Sequence, residues 1–212
     1  MKENWTISIV GSIVVLVPYR KRFVLPYHQW MLDPILLEST ASEPLSLSEE
    51  YTMQNSWHHD PKKVTFIVLS KLQLEPECPG SNDRELESMA GDVNLFLNDP
   101  DDPFNAEIEI MIAEPRFRRK GLAREALKLT ISYGVHHLQM KRFFAKIGES
   151  NHASLELFKS LQFEIVAFVK AFGEYELEFL PGRDPETMTL VQHYSELGRI
   201  GTYNNNEDDE ED

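Results

Sequence analysis

The chain has 212 residues, 42% of them hydrophobic, which is enough for one domain with a substantial core. Its 35 acidic residues outnumber 21 basic ones and give a net charge of −14, an excess that repels phosphate backbones and anionic lipid surfaces, so neither nucleic acid nor membrane is expected as a partner. A single cysteine, Cys78, excludes a disulfide framework within the chain and suits a reducing compartment, so a cytoplasmic location is expected.

The N-terminal run "WTISIVGSIVVLVPY" is too short to span a bilayer and follows a balanced Lys2–Glu3 pair rather than a basic leader. Gly11-Ser12 divides it into two β-branched-rich halves, which predicts two strands joined by a tight turn, the second ending at Pro18. Residues 27–31 read as helical. Ser46 and Glu49 have the spacing of a capping box and predict a helix from Leu47 to about Ser56, with the Asp60-Pro61 pair marking the turn beyond it. "VTFIVL" (64–69) reads as a strand, the polar stretch 70–88 with Pro76, Pro79 and Gly80 as a surface insertion, and "GDVNLFL" (91–97) as the next strand.

Residues 106–112, "AEIEIMI", alternate strictly, with Glu107 and Glu109 on one face and Ile108, Ile110 and Ile112 on the other. Pro115 ends that strand. From Leu122 the period becomes helical, with Leu122, Ala126, Leu129 and Tyr133 on one stripe. "RFFAKI" (142–147) reads as a strand, and Asn151 can cap a short helix carrying Leu155, Phe158 and Leu161. "FEIVAFV" and "FGEYELEFL" read as a hairpin, and Asp184-Pro185 starts a last helix that ends near Gly198. The organisation expected is one domain over 1–182, a helical extension over 183–203 and a disordered acidic tail over 204–212. The fold class is α/β, a mixed sheet with helices between its strands.

One stretch carries a chemical signal. "EPRFRRKGLAREAL" (114–127) gathers Arg116, Arg118, Arg119, Lys120 and Arg124 around Gly121, where strand gives way to helix. A helix N-terminus exposes unpaired N–H groups and about half a positive charge, so it is a ready anion site. Gly121 has no Cβ to obstruct a phosphate, and Ala123 has almost none in the way. Basic residues here cost the helix a few tenths of a kcal/mol each, and such breaks of local rules concentrate at functional sites. A solvated cationic turn that offsets the acidic surface is the plain alternative. The spacing matches neither the P-loop nor the dinucleotide fingerprint.

The run Arg118-Arg119-Lys120-Gly121-Leu122-Ala123 resembles the acetyl-CoA signature of the GNAT acetyltransferase superfamily: Gln or Arg, two residues, Gly, one residue, then Gly or Ala. "KIGESNHASLELFKSLQFE" resembles that superfamily's second motif, and "GDVNLFL" and "AEIEIMIAEP" resemble the strands before the signature. "TASEPLSLSEEYTMQNSW", "FIVL", "GDVNLFL" and "MIAEP" are similar, more narrowly, to N-acetyltransferase 9-like proteins. The resemblance implies a single GNAT domain whose central sheet splays open, acetyl-CoA as cosubstrate and no metal.

By the same resemblance, the backbone of Met111, Ile112 and Ala113 receives the pantetheine arm. The backbone of Arg119, Lys120, Gly121, Leu122 and Ala123, with Arg124, holds the pyrophosphate. Arg116 and Arg118 meet further phosphate charge, and Asn151 meets the pantetheine region. Phe158 occupies the position where many members carry a Tyr that protonates the leaving thiolate, a role Phe cannot fill. The family often supplies a base from the strand face holding Glu107 and Glu109. Glu107 is the first candidate and Glu109 the second; a pair of surface carboxylates is the competing description.

A modest base suits an N-terminal amine, whose pKa near 8 leaves roughly a tenth neutral at pH 7, better than a lysine near 10.4. The narrower resemblance implies action on tubulin and on microtubule stability. Two other readings stay open, a weakly catalytic acetyl-CoA-fold protein acting by binding, and a polyamine acetyltransferase.

Overall fold

The structure, a computed structural model, describes residues 1–72 and 82–204. The expectations for Cys78, for residues 73–81 of the 70–88 insertion and for the acidic tail beyond residue 204 fall outside the described residues. In chain order, β1 (Ile7–Val10) and β2 (Val14–Pro18) form a hairpin. Three helices follow, α1 (Val24–Trp30), α2 (Pro34–Ser39) and α3 (Leu47–His59). Next come β3 (Lys63–Ser70), α4 (Asn82–Ser88), β4 (Met89–Phe96), β5 (Asn105–Ile112), α5 (Leu122–Leu138), β6 (Arg142–Gly148) and α6 (His152–Lys159). The hairpin β7 (Glu164–Val169) and β8 (Glu174–Phe179), then α7 (Pro185–Glu196) and β9 (Arg199–Thr202), complete the described chain.

The strands make one nine-stranded sheet in the order β7-β8-β6-β5-β4-β3-β2-β1-β9, antiparallel throughout except for the central pair β5–β6. The caps explain where helices begin. Ser46 and Glu49 close a capping box, with the Ser46 N–H donating to Glu49 Oε2 at 2.8 Å. Asp184 caps α7 with Pro185 in the first turn. The equivalent Asp33-Pro34 signal, unread in the sequence, starts α2.

Strand alternation divides the interior in two. On one face Val64, Phe66, Val93, Leu95 and Ile108 pack under Leu122, Ala126 and Leu129 of α5 and Val191 and Tyr194 of α7. On the other, Val15, Val17, Ile67, Leu69 and Met111 pack under Val24, Tyr27 and Trp30 of α1. Among the described residues no helix is long and apolar enough to cross a membrane.

The segment 183–203 departs from the expected helical extension. α7 stops at Glu196 and the chain returns as β9, which pairs with β1 at Ile7↔Thr202 and Ile9↔Ile200. Its four residues all lie exposed and carry no alternation signal, so sequence pattern could not mark this strand. Within 70–88, Asn82–Ser88 is helical rather than irregular.

Candidate active site

β5 and β6 are paired only at Asn105↔Arg142, Ala106↔Phe143 and Glu107↔Phe144. Beyond Glu107 the two strands run on to Ile112 and Gly148 without pairing, so a wedge opens in the middle of the sheet. β5 keeps its other partner there, with Gly91↔Ile112 and Asp92↔Met111 in register. Gly91 makes that approach possible, because a Cβ at this position would lie 1.8 Å from the Met111 carbonyl oxygen. The sequence reading missed Gly91, although a glycine inside a strand pattern is the available signal.

After β5 the chain turns through Pro115–Phe117, and Arg119 and Gly121 then adopt left-handed φ values of +62° and +86°. Gly121 is the N-cap of α5, and among the described residues no side chain caps that end. A Cβ on Gly121 would meet only Ile13 Cδ1, at 3.5 Å, so the first N–H groups of α5 open outward. The five basic residues do not act together. Arg118 folds back, its Nε and Nη2 donating to the carbonyls of Ile112 and Ala113 at 2.9 Å each. Arg116 donates to the Glu87 carbonyl at 2.6 Å and lies 3.6 Å from Glu114, turned away from the helix start. All five are exposed, and Arg119, Lys120 and Arg124 are the ones not folded back onto a carbonyl among the described residues.

Glu125, also unread, is the strut beneath this turn. Its carboxylate accepts from the backbone N–H groups of Ser12, Ile13 and Val14 at 2.9, 2.8 and 2.8 Å, fastening the β1–β2 turn to the first turn of α5.

The paired carboxylates have different surroundings. Glu107 is bound by Lys146 of β6, Oε2 to Nζ at 2.8 Å. Glu109 sits opposite Asn94 of β4, reached by solvent along the wedge yet packed about by other atoms. Burial, followed by the charge of Glu107, pushes its carboxyl up to about 7, against the pull of Lys63 and Lys146.

Behind it Thr65 donates to Asn94 Oδ1 at 2.7 Å, Asn94 donates to Asp92 Oδ2 at 2.8 Å, and Tyr27 Oη lies 3.5 Å from that same oxygen. Asp92 is buried, which pushes it up to about 6 despite the Asn94 hydrogen bond and Lys63. Lys63 is buried over the rings of Trp57 and Phe96 at 3.4 and 3.8 Å, and desolvation lowers it to about 8 against Asp92, Glu109 and Asp60.

Asn151 caps α6 as its position suggests, Oδ1 accepting from the Ser154 N–H at 3.1 Å. Phe158 stands away from the wedge, 2% exposed, edge-on to Phe163 at 4.9 Å in the core. In the free chain its ring serves as packing. An open pocket of about 320 Å³ lies on the β6–β8 flank, lined by Lys146, Val169, Phe172, Glu174, Tyr175 and Glu176.

A sheet parted at its centre, with a glycine-led and uncapped helix start beside the gap, is the frame that this chain shares with known acyltransferases. Residues 14–164 match the model of the acetyltransferase (GNAT) domain, and the chain belongs to that family as an N-acetyltransferase. It is 52% identical over 179 residues to an N-acetyltransferase 9-like protein of Nematostella vectensis, covering 84% of this chain and 88% of that one. It is 46% identical over 193 residues to the alpha/beta-tubulin-N-acetyltransferase 9 of Homo sapiens, covering 91% and 92%. Among solved structures, spermidine N-acetyltransferase from Vibrio cholerae, in complex with CoA and spermine, superposes with a TM-score of 0.67 at 18% identity, covering 82% of this chain and 98% of that one. At that identity the likeness is one of fold.

Proposed function

We propose that this chain transfers the acetyl group of acetyl-CoA to the N-terminal amine of a polypeptide, with Glu109 as the base. The observation that carries the reading is the contrast between the two strand carboxylates. Glu107 is ion-paired with Lys146 at 2.8 Å, whereas Glu109 lies in the part of β5 not paired with β6, its carboxyl pushed up to about 7. A carboxylate of that pKa is about half ionised at neutral pH and suits removal of a proton from an amine of pKa near 8. This reverses the order of the two candidates expected from sequence.

The residues present fit the cosubstrate, which supplies the acetyl thioester. The outward N–H groups at the start of α5, the free space at Gly121 and the exposed Arg119, Lys120 and Arg124 suit a pyrophosphate. The unpaired edge of β5 around Met111, Ile112 and Ala113 suits an extended amide-bearing arm. Arg118 holds the end of that edge in shape through its two carbonyl contacts. Phe158 has no proton to give, so protonation of the leaving thiolate falls to water or to the ammonium nitrogen of the tetrahedral intermediate.

The relatives from Homo sapiens, Mus musculus and Drosophila melanogaster are named alpha/beta-tubulin-N-acetyltransferase 9, which supports tubulin as the polypeptide and microtubules as the structure affected. The lone cysteine supports the cytoplasm as the compartment. The test is mass mapping of tubulin and of spermidine after incubation with protein and acetyl-CoA. An acetyl group at a mapped N-terminal residue is expected, lost by roughly 10²-fold or more in Glu109→Gln and largely kept in Glu107→Gln. Acetylated spermidine with unmodified polypeptide, or an unimpaired Glu109→Gln, overturns the proposal.

A further inference from the structure

Glu109 reaches solvent through the wedge, and that is the side a cosubstrate and an acceptor cover. Once both are in place the proton taken by Glu109 needs another way out. The layer behind β4, beneath α1 and α3, holds three buried polar atoms with no hydrogen-bond partner among the described residues: Tyr19 Oη, Glu50 Oε2 and His28 Nδ1. They come from three elements, the end of β2, α3 and α1, and they complement one another as a hydroxyl donor, a carboxylate acceptor and an imidazole nitrogen. Nine in ten or more buried polar groups are satisfied in folded proteins, so each of these three calls for a partner. Glu50 Oε1 and His28 Nδ1 are 4.0 Å apart, a separation suited to a water held between these side chains.

The same layer joins the base. Tyr19 and Tyr27 have ring centroids 5.0 Å apart, and Tyr27 Oη is 3.5 Å from Asp92. Asp92 is the diagonal neighbour of Glu109 on one face of the β4–β5 pair, because Glu109 opposes Asn94 and Met111 opposes Asp92. At the far end the His28 side chain is 12% exposed and touches solvent.

Resting on Glu109 as the base, we propose that protons leave the covered site through the back of the sheet, along Asp92, Tyr27, Tyr19, Glu50 and His28. Glu109 accepts one proton from the acceptor amine. Each group beyond accepts one proton as it gives up another, waters bridging the wider gaps, until His28 releases one to solvent and every group is restored. Glu109 is faced by Glu107 on its own strand, Lys63 and Asp92 on β3 and β4, Lys146 on β6 and Tyr27 on α1. Glu50 is faced by His28 and Tyr19. Burial raises the Glu50 and Asp92 carboxyls toward the range of Glu109, which lets protons pass among them.

Tyr19→Phe and Glu50→Gln keep side-chain shape and leave Glu109 in place. With acetyl-CoA and a synthetic tubulin N-terminal peptide as acceptor, each is expected to lower kcat roughly tenfold with KM little changed, and to raise the solvent deuterium isotope effect on kcat. The Tm of the cosubstrate-free protein should stay within a few degrees of the parent in Tyr19→Phe, since one water-mediated hydrogen bond is lost while the packing is kept. A high-resolution crystal structure of the free protein should show a water joining Tyr19, Glu50 and His28. The proposal is overturned if both variants keep the parental kcat and isotope effect, if kcat falls only in step with Tm, or if that structure shows no water among the three. Glu109→Gln separates the two readings. Inactive Glu109→Gln beside normal relay variants sinks the relay alone, and active Glu109→Gln sinks the base and the relay with it.

Discussion

Gly91→Ala puts one methyl group where the sheet has no room for it. The added carbon would lie 1.8 Å from the Met111 carbonyl oxygen, 2.8 Å from the Met111 carbonyl carbon and 2.9 Å from the Ile112 Cα. All three are backbone atoms, so no side-chain rotation relieves the clash. Ordinary contact begins at 3.4 Å, so the Met111 carbonyl must retreat by about 1.6 Å. That carbonyl belongs to the strand edge proposed to receive the cosubstrate. Overpacking of this kind costs about 1–3 kcal/mol, and for a chain of this size 2 kcal/mol lowers Tm by roughly 4–8 °C. A displacement of about 1 Å at a reacting site costs on the order of 10²-fold in rate. Thermal melts and steady-state kinetics with varied acetyl-CoA test both numbers. If Gly91→Ala melts within about 1 °C of the parent and keeps kcat/KM within about twofold, the account of this strand is wrong.

Gly121→Val places a β-branched residue at φ +86°, a strain of about 1–2 kcal/mol, and crowds the open N–H groups. Calorimetric titration should show acetyl-CoA binding weakened at least roughly tenfold, with a Tm loss of only a few degrees. Glu125→Gln removes the charge from three backbone hydrogen bonds, costing about 2 kcal/mol, and hydrogen exchange should quicken at Ser12, Ile13 and Val14. Asp92 binds its proton more tightly folded, near 6, than unfolded, near 3.8, so its contribution to stability is present below the unfolded value and is lost as pH rises from about 4 to 6. The loss is on the order of 3 kcal/mol, and urea midpoints compared at the two ends of that window should fall less with pH in Asp92→Asn than in the parent.

The strands and helices around the wedge were legible because each carries its own period. The "AEIEIMI" alternation and the Leu122–Tyr133 stripe describe β5 and α5 to within a residue or so at their starts. A capping box did the same for α3, and the Asp184-Pro185 pair did so for α7. What could not be read was which strand positions face each other. Asp92 and Asn94 alternate with Val93 and Leu95 in "GDVNLFL", but only pairing brings Thr65, Asn94 and Glu109 into one row. Arg116 and Arg118 were legible as basic residues close to the turn. The sequence could not show that their long side chains fold back onto backbone carbonyls. Phe158 was legible in another way: its stripe with Leu155 and Leu161 already described a core residue.

Glu125 also governs the order of events in folding. Its three partners lie 111 to 113 residues away along the chain, so the turn that opens α5 is propped only after the N-terminal hairpin has met the middle of the sequence. Contacts of such long range form slowly and late, because loop closure must precede them. Affinity for the cosubstrate should therefore emerge with the last phase of refolding rather than with the first appearance of helix. A chain trimmed of its first hairpin should lose the anion cradle while keeping every residue of the signature.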